Sequence, residues 1–104
     1  MDWNTYLIND KNVPIEMVLI VARGYDDKDA TSTMRHTIKV LPAKSFAKIE
    51  FLEEGLLRLN NEFLVTFFEG NTMYEKKYLF PKNTIKESAA GDVAVLNKKS
   101  ILAI

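Results

Sequence analysis

The sequence predicts an all-β domain, and three observations carry that expectation. Short apolar or alternating runs recur along the chain with turn residues about every 8 to 12 positions, the rhythm of a sandwich or small barrel. Helical periodicity is almost absent. The third is the stretch Glu62 to Pro81, where two strand-like runs flank the turn Glu69-Gly70-Asn71-Thr72 and read as a β-hairpin.

Each element follows from its residues. Trp3 to Asn9 alternates, with Tyr6 and Ile8 against Leu7 and Asn9, and ends at the turn cluster Asn9-Asp10-Lys11-Asn12. After Pro14, Ile15 to Arg23 is apolar on both faces: Ile15, Met17, Leu19 and Val21 on one, Val18, Ile20 and Ala22 beside Glu16 on the other. Such a strand is central in its sheet, with Met17 and Leu19 expected in the core. Gly24 to Ser32 is a polar, aspartate-rich loop, expected to be solvated and mobile. Met34 to Leu41 alternates and closes on Pro42-Ala43-Lys44-Ser45.

Phe46 to Leu52 sets Ala47, Ile49 and Phe51 against Lys48 and Glu50. Glu53 to Asn61 breaks the period, and Leu56, Leu57 and Leu59 fit one helical turn or a crossover between sheets. In the hairpin, Phe63 to Phe68 is apolar on both faces, whereas Met73 to Phe80 places Tyr74, Tyr78 and Phe80 opposite Glu75, Lys77 and Leu79. From Lys82 the chain is a polar loop followed by two short strand candidates, Val93 to Leu96 and Ile101 to Ile104. A β-sandwich is the preferred architecture, and a small closed barrel the alternative.

Composition narrows the function classes. A chain of 104 residues with 47% hydrophobic and 27% charged residues is ordinary for one globular domain. The domain spans 1–104, with the core in 3–81 and a tail in 82–104. Lysine plus arginine number 14, as do aspartate plus glutamate, so no net field draws nucleic acid or an anionic membrane. The absence of cysteine excludes a disulfide scaffold, thiol catalysis and cysteine-ligated zinc. The longest apolar run, Met17 to Ala22, is too short to span a bilayer, and no signal peptide is visible. The apolar ending Ser100 to Ile104 suggests a piece of a longer protein.

Three blocks, in order, carry a resemblance. The first is Tyr6-Leu7-Ile8-Asn9-Asp10, followed by a proline and the apolar strand Glu16 to Ala22. The second is Ile38-Lys39-Val40-Leu41-Pro42-Ala43-Lys44-Ser45 with Ile49-Glu50-Phe51 after it. The third is Phe63 to Gly70 with Lys77-Tyr78-Leu79-Phe80-Pro81-Lys82. Together they resemble the immunoglobulin-like β-sandwich near the C-terminus of β-mannosidase-type enzymes of glycoside hydrolase family 2. The resemblance spans Tyr6 to about Lys82 and implies an immunoglobulin-like antiparallel β-sandwich. It further implies a non-catalytic accessory domain that packs against the catalytic barrel or other domains of a parent enzyme. A carbohydrate-binding module and a small stand-alone protein-interaction domain are the rivals.

Candidate site residues are few. Glycosidases need two carboxylates at a set separation. In the resembled family both are glutamates of a (β/α)8 barrel of about 250 residues, which this chain cannot contain. Glu50, Glu53, Glu54, Glu62, Glu69 and Glu75 are therefore read as strand and loop charges, with no catalytic residue expected. Asp26, Asp27 and Asp29 do not follow calcium-loop spacing, and no metal or cofactor is expected. His36 shares parity with Met34, Ile38 and Val40 and reads as an edge-of-core residue. Among Trp3, Tyr6, Tyr25, Tyr74 and Tyr78, packing or interface roles are the first reading. Trp3 and Tyr74 are the candidates for an exposed sugar-contacting platform. Lys76-Lys77 and Lys98-Lys99 read as edge lysines that discourage strand addition.

Overall fold

The computed structural model describes residues 3–86, 91–93 and 98–101. Its strands are β1 (Trp3–Asn9), β2 (Ile15–Tyr25), β3 (Met34–Leu41), β4 (Ser45–Leu52), β5 (Asn60–Glu69), β6 (Thr72–Phe80), β7 (Gly91–Val93) and β8 (Lys98–Ser100). One sheet has four strands in the order β3-β2-β5-β6, and a second pairs β1 with β4. All pairings are antiparallel. The two sheets face each other across one core, so the expected all-β antiparallel sandwich is the observed architecture. β7 and β8 form a separate two-stranded ribbon. The tail strands fall a few residues before the positions expected from sequence, and residues 94–97 and 102–104 lie outside the described residues.

The core is built on the inner face of the larger sheet: Ile15, Val18, Ile20, Ala22, Leu41, Phe63, Val65 and Phe67 are buried together. Leu7, Ala47 and Ile49 of the smaller sheet pack against them. β2 is central, as its two apolar faces require. Its faces, however, do not run straight through. Glu16 opposes Phe68 while Leu19 opposes Thr66, so β2 accommodates one extra residue against β5. Met17 sits in that step with φ at 49°. Ile15 is buried before the bulge and Val18, Ile20 and Ala22 after it, because an extra residue exchanges the two faces of a strand. The expectation of a buried Met17 and Leu19 is thereby corrected: Met17 is 70% exposed and Leu19 half-buried.

β3 exchanges faces at the same level, from buried Leu41 to half-buried Ile38 and His36. Its register with β2 therefore stays unbroken. The same device acts in β4. A register shift opposite Thr5 and Tyr6 turns Glu50 and Leu52 inward and leaves Phe51 49% exposed, against the expected grouping of Phe51 with Ala47 and Ile49.

The connections follow their residues. The hairpin between β5 and β6 turns on Gly70 at φ 61°, with glycine first as a two-residue type II′ turn requires. The break after β4 is a single 3-10 turn, Glu54–Leu56. Asn9 is 3% exposed and shares its Nδ2 hydrogens among the carbonyls of Val13 (2.9 Å), Leu41 (3.1 Å) and Pro42 (3.0 Å). Its Oδ1 accepts from the Lys11 amide at 3.1 Å. One side chain thus ties the turn after β1 to the Leu41-Pro42 corner, satisfying carbonyls that burial would leave unpaired. After β6 the chain folds back, with the Asn83 amide donating to the Leu57 carbonyl and Ile85 buried, where the sequence suggested only a polar loop.

Candidate functional site

Three surfaces carry the chemistry of this molecule. The first is the outer face of the four-stranded sheet. Cross-strand pairs place side chains on a common face, so Leu19 lies beside Thr66, Val21 beside Leu64, and Phe68 beside Met73. With Met17, the apolar members of this set form a patch around Thr66 on the side away from the core, and Leu79 stands apart from it beyond Glu62 and Lys77. Met17 and Met73 are 70% and 61% exposed, and Leu19, Val21, Leu64, Phe68 and Leu79 are half-buried.

A charged clamp crosses this face near one end. Glu62 on β5 accepts from Arg23 Nε on β2 at 2.7 Å and from Lys77 Nζ on β6 at 2.8 Å. The Lys77 ammonium, then the Arg23 guanidinium, hold the buried Glu62 carboxyl below its ordinary range. The carboxylate in turn raises Lys77. Arg23 also lies 5.0 Å from the Tyr25 ring centroid.

The second surface is a shallow cleft of about 180 Å³, small beside the usual range for ligand sites. It lies where the end of β1 meets the uncovered inner face of β6. Leu7, Asn9, Ile15, Phe67, Lys76 and Tyr78 are among its walls. At its rim Tyr74 stacks on Phe67 with centroids 5.5 Å apart and planes 23° from parallel. Lys11 approaches Glu69 Oε1 at 3.0 Å and lies 6.0 Å from the Tyr74 centroid. Burial pushes the Tyr78 hydroxyl up.

The third is the seam between β3 and β4, where His36 Nε2 and Glu50 Oε2 stand 2.9 Å apart. Beneath it Thr5 Oγ1 donates to the Glu50 carbonyl and accepts from the Glu50 amide, each at 3.1 Å. His36 is thus an edge-of-core residue, as its parity suggested, with a carboxylate partner that sequence spacing could not reveal.

Trp3 and Tyr74, the two candidates for a sugar platform, are not brought together. Trp3 pairs with Leu52 at one end of the smaller sheet and is half-buried. Tyr74, 41% exposed, lies at the opposite end beside Lys11 and the β5–β6 turn. Tyr6 instead meets Phe46 edge-on at 5.8 Å on the outside of the smaller sheet.

The aspartate loop is folded around its first member. Asp26 Oδ1 accepts from the amides of Lys28 (2.8 Å) and Asp29 (2.6 Å), and those bonds, Asp29 first, lower the Asp26 carboxyl. Asp26 therefore acts as a local turn former. Among the described residues no three histidine, aspartate or glutamate side chains gather as a metal site. No described helix is long and apolar enough to cross a membrane. No family model matches the chain, and neither a curated protein nor a solved structure matches it significantly.

Proposed function

We propose that this chain is a non-catalytic β-sandwich domain that works by docking its four-stranded sheet against another protein domain. The observation that carries the reading is the apolar outer face centred on Met17, Leu19, Val21, Leu64, Phe68 and Met73. A solvated sheet face alternates with polar residues, and a contiguous apolar patch marks a contact surface. Met17 is the telling residue: the bulge that exposes it could equally hold a polar side chain. The finer version, an accessory domain of a β-mannosidase-like glycoside hydrolase that supports its barrel, rests on the three sequence blocks. Asn9 adds to it by joining two of those blocks in space.

The test is peroxide footprinting of methionine in the native cell extract and in the purified chain. Met17 should oxidise readily in the purified chain and be protected in the extract. Met34, 52% exposed at the end of β3, should oxidise in both. Equal oxidation of Met17 in both samples would remove the docking face. The parent class is tested separately: the purified chain should show no turnover of an aryl β-mannoside, because a positioned carboxylate pair is required for it.

A further inference from the structure

We propose that β6 is a self-pairing edge, through which two copies of this chain join β6 to β6 about a twofold axis into one continuous sheet. The reading is independent of any parent enzyme. β6 closes the strand order β3-β2-β5-β6, and no described strand pairs with its other side. It is nine residues long and pairs with β5 without a register shift from Asn61 opposite Phe80 to Glu69 opposite Thr72. No proline interrupts it before Pro81. Its outer edge is therefore a regular row of backbone donors and acceptors, the template that strand addition uses. Lys76 and Lys77 discourage indiscriminate pairing and admit only a register that gives Lys77 a carboxylate.

The side chains choose the partner and the register. Two antiparallel copies side by side are related by an axis perpendicular to the sheet, so inner side chains meet inner and outer meet outer. With the axis at Lys76, the middle residue, every position of β6 finds a counterpart. On the outer face Glu75 opposes Lys77 of the second copy, and Met73 opposes Leu79. On the inner face Tyr74 opposes Tyr78, and at the ends Thr72 opposes Phe80. Opposite charges and large apolar or aromatic residues directly across from each other are the stabilising pairs of a sheet.

Neighbouring registers fail. An axis at Glu75 sets glutamate against glutamate and Lys77 against Met73, and one at Lys77 sets lysine against lysine and Glu75 against Leu79, so both lose the two Glu75–Lys77 pairs. In the favoured register the one like-charged contact is Lys76 on Lys76. This lysine is exposed at the cleft, where a long stem can carry its ammonium into water. Glu75 has no ion-pair partner within the chain among the described residues, and the second copy's Lys77, 2.8 Å from its own Glu62, would bridge the two carboxylates. The other edge of the sheet lacks this complementarity: turned on itself about Thr37, β3 brings Arg35 against Lys39.

Sedimentation equilibrium of the purified chain, from micromolar to millimolar, tests this. A monomer–dimer equilibrium is expected. Glu75→Lys should weaken association about tenfold or more, because it opposes lysine to lysine twice per dimer. Lys76→Thr should tighten it, because the like-charged pair on the axis is gone. A mixture of Glu75→Lys and Lys77→Glu chains should form heterodimers, since both cross-strand pairs are then complementary. Circular dichroism confirms that each variant is folded. A chain that stays monomeric to millimolar, or a dimer indifferent to both Glu75→Lys and Lys76→Thr, would overturn the proposal. Either outcome leaves the docking face untouched, because Met17 lies on β2, away from this edge.

Discussion

Along one long side of the sandwich β3 and β4 draw together, His36 reaches Glu50 at 2.9 Å, and Thr5 bonds both backbone groups of Glu50. Along the other, β1 stops short of covering β6, and Lys76 and Tyr78 line a cleft of about 180 Å³. The smaller sheet has two strands and the larger four, so it cannot cover the whole inner face. What differs is how each side meets water. The β3–β4 side spends its polar groups on each other, which suits a finished boundary. The β6 side keeps a long regular edge, an aromatic rim and unpaired charge, which suits a boundary that another strand completes.

The largest expected effect calibrates the core that both sides share. Ile20 is fully buried, and Ile20→Ala should cost about 2 to 5 kcal/mol in urea unfolding, the range for truncation at a well-packed site. Met17→Ala, three positions earlier on the same strand, should change stability by less than about 0.5 kcal/mol. Similar losses at the two positions would contradict the bulge.

The finished side breaks at Thr5. Thr5→Val keeps the volume but leaves the part-buried amide and carbonyl of Glu50 without the Thr5 hydroxyl, a loss of about 1 to 3 kcal/mol. On the open side, Tyr74→Ala removes a rim ring stacked on Phe67 and should cost about 0.5 to 1.5 kcal/mol. A larger loss at Tyr74 than at Thr5 would reverse the contrast drawn between the two sides.

The smallest of the polar effects is electrostatic. Glu62 is held below its ordinary carboxyl value of 4.5 by Lys77 and Arg23. A depressed folded-state value means stabilisation that is fully present above about pH 4.5 and lost as the pH falls through the folded value. Because Lys77 and Arg23 are largely exposed, the contribution is about 1 kcal/mol. Thermal unfolding of Glu62→Gln should show a shallower loss of stability on acidification than the parent chain. An unchanged slope would remove the clamp as its source.

The strand positions were legible in the sequence because alternation, turn residues and proline act locally. Met34–Leu41 matches its expected bounds, and the Gly70-Asn71 hairpin was readable from its turn chemistry. The central place of β2 followed from its two apolar faces. The site was less legible. Parity assigned His36 to the edge of the core but could not supply Glu50, which comes from the next strand across a sheet boundary. The Arg23–Glu62–Lys77 clamp joins β2 to both strands of the distant β5–β6 hairpin, and no spacing signal marks it.

By itself, then, the sequence determined that this chain makes β-strands, where they turn and that β2 lies inside its sheet, since these depend on neighbouring residues. Only the tertiary structure decided which faces are inside. Bulges in β2 and β4 each shift a strand by one position, and in a period of two that exchanges buried and exposed sides. Met17 and Phe51 are on the surface for that reason. The same holds for the free edge: β6 reads as one strand among several until pairing places it last in its sheet, where its backbone and its charge pattern face outward together.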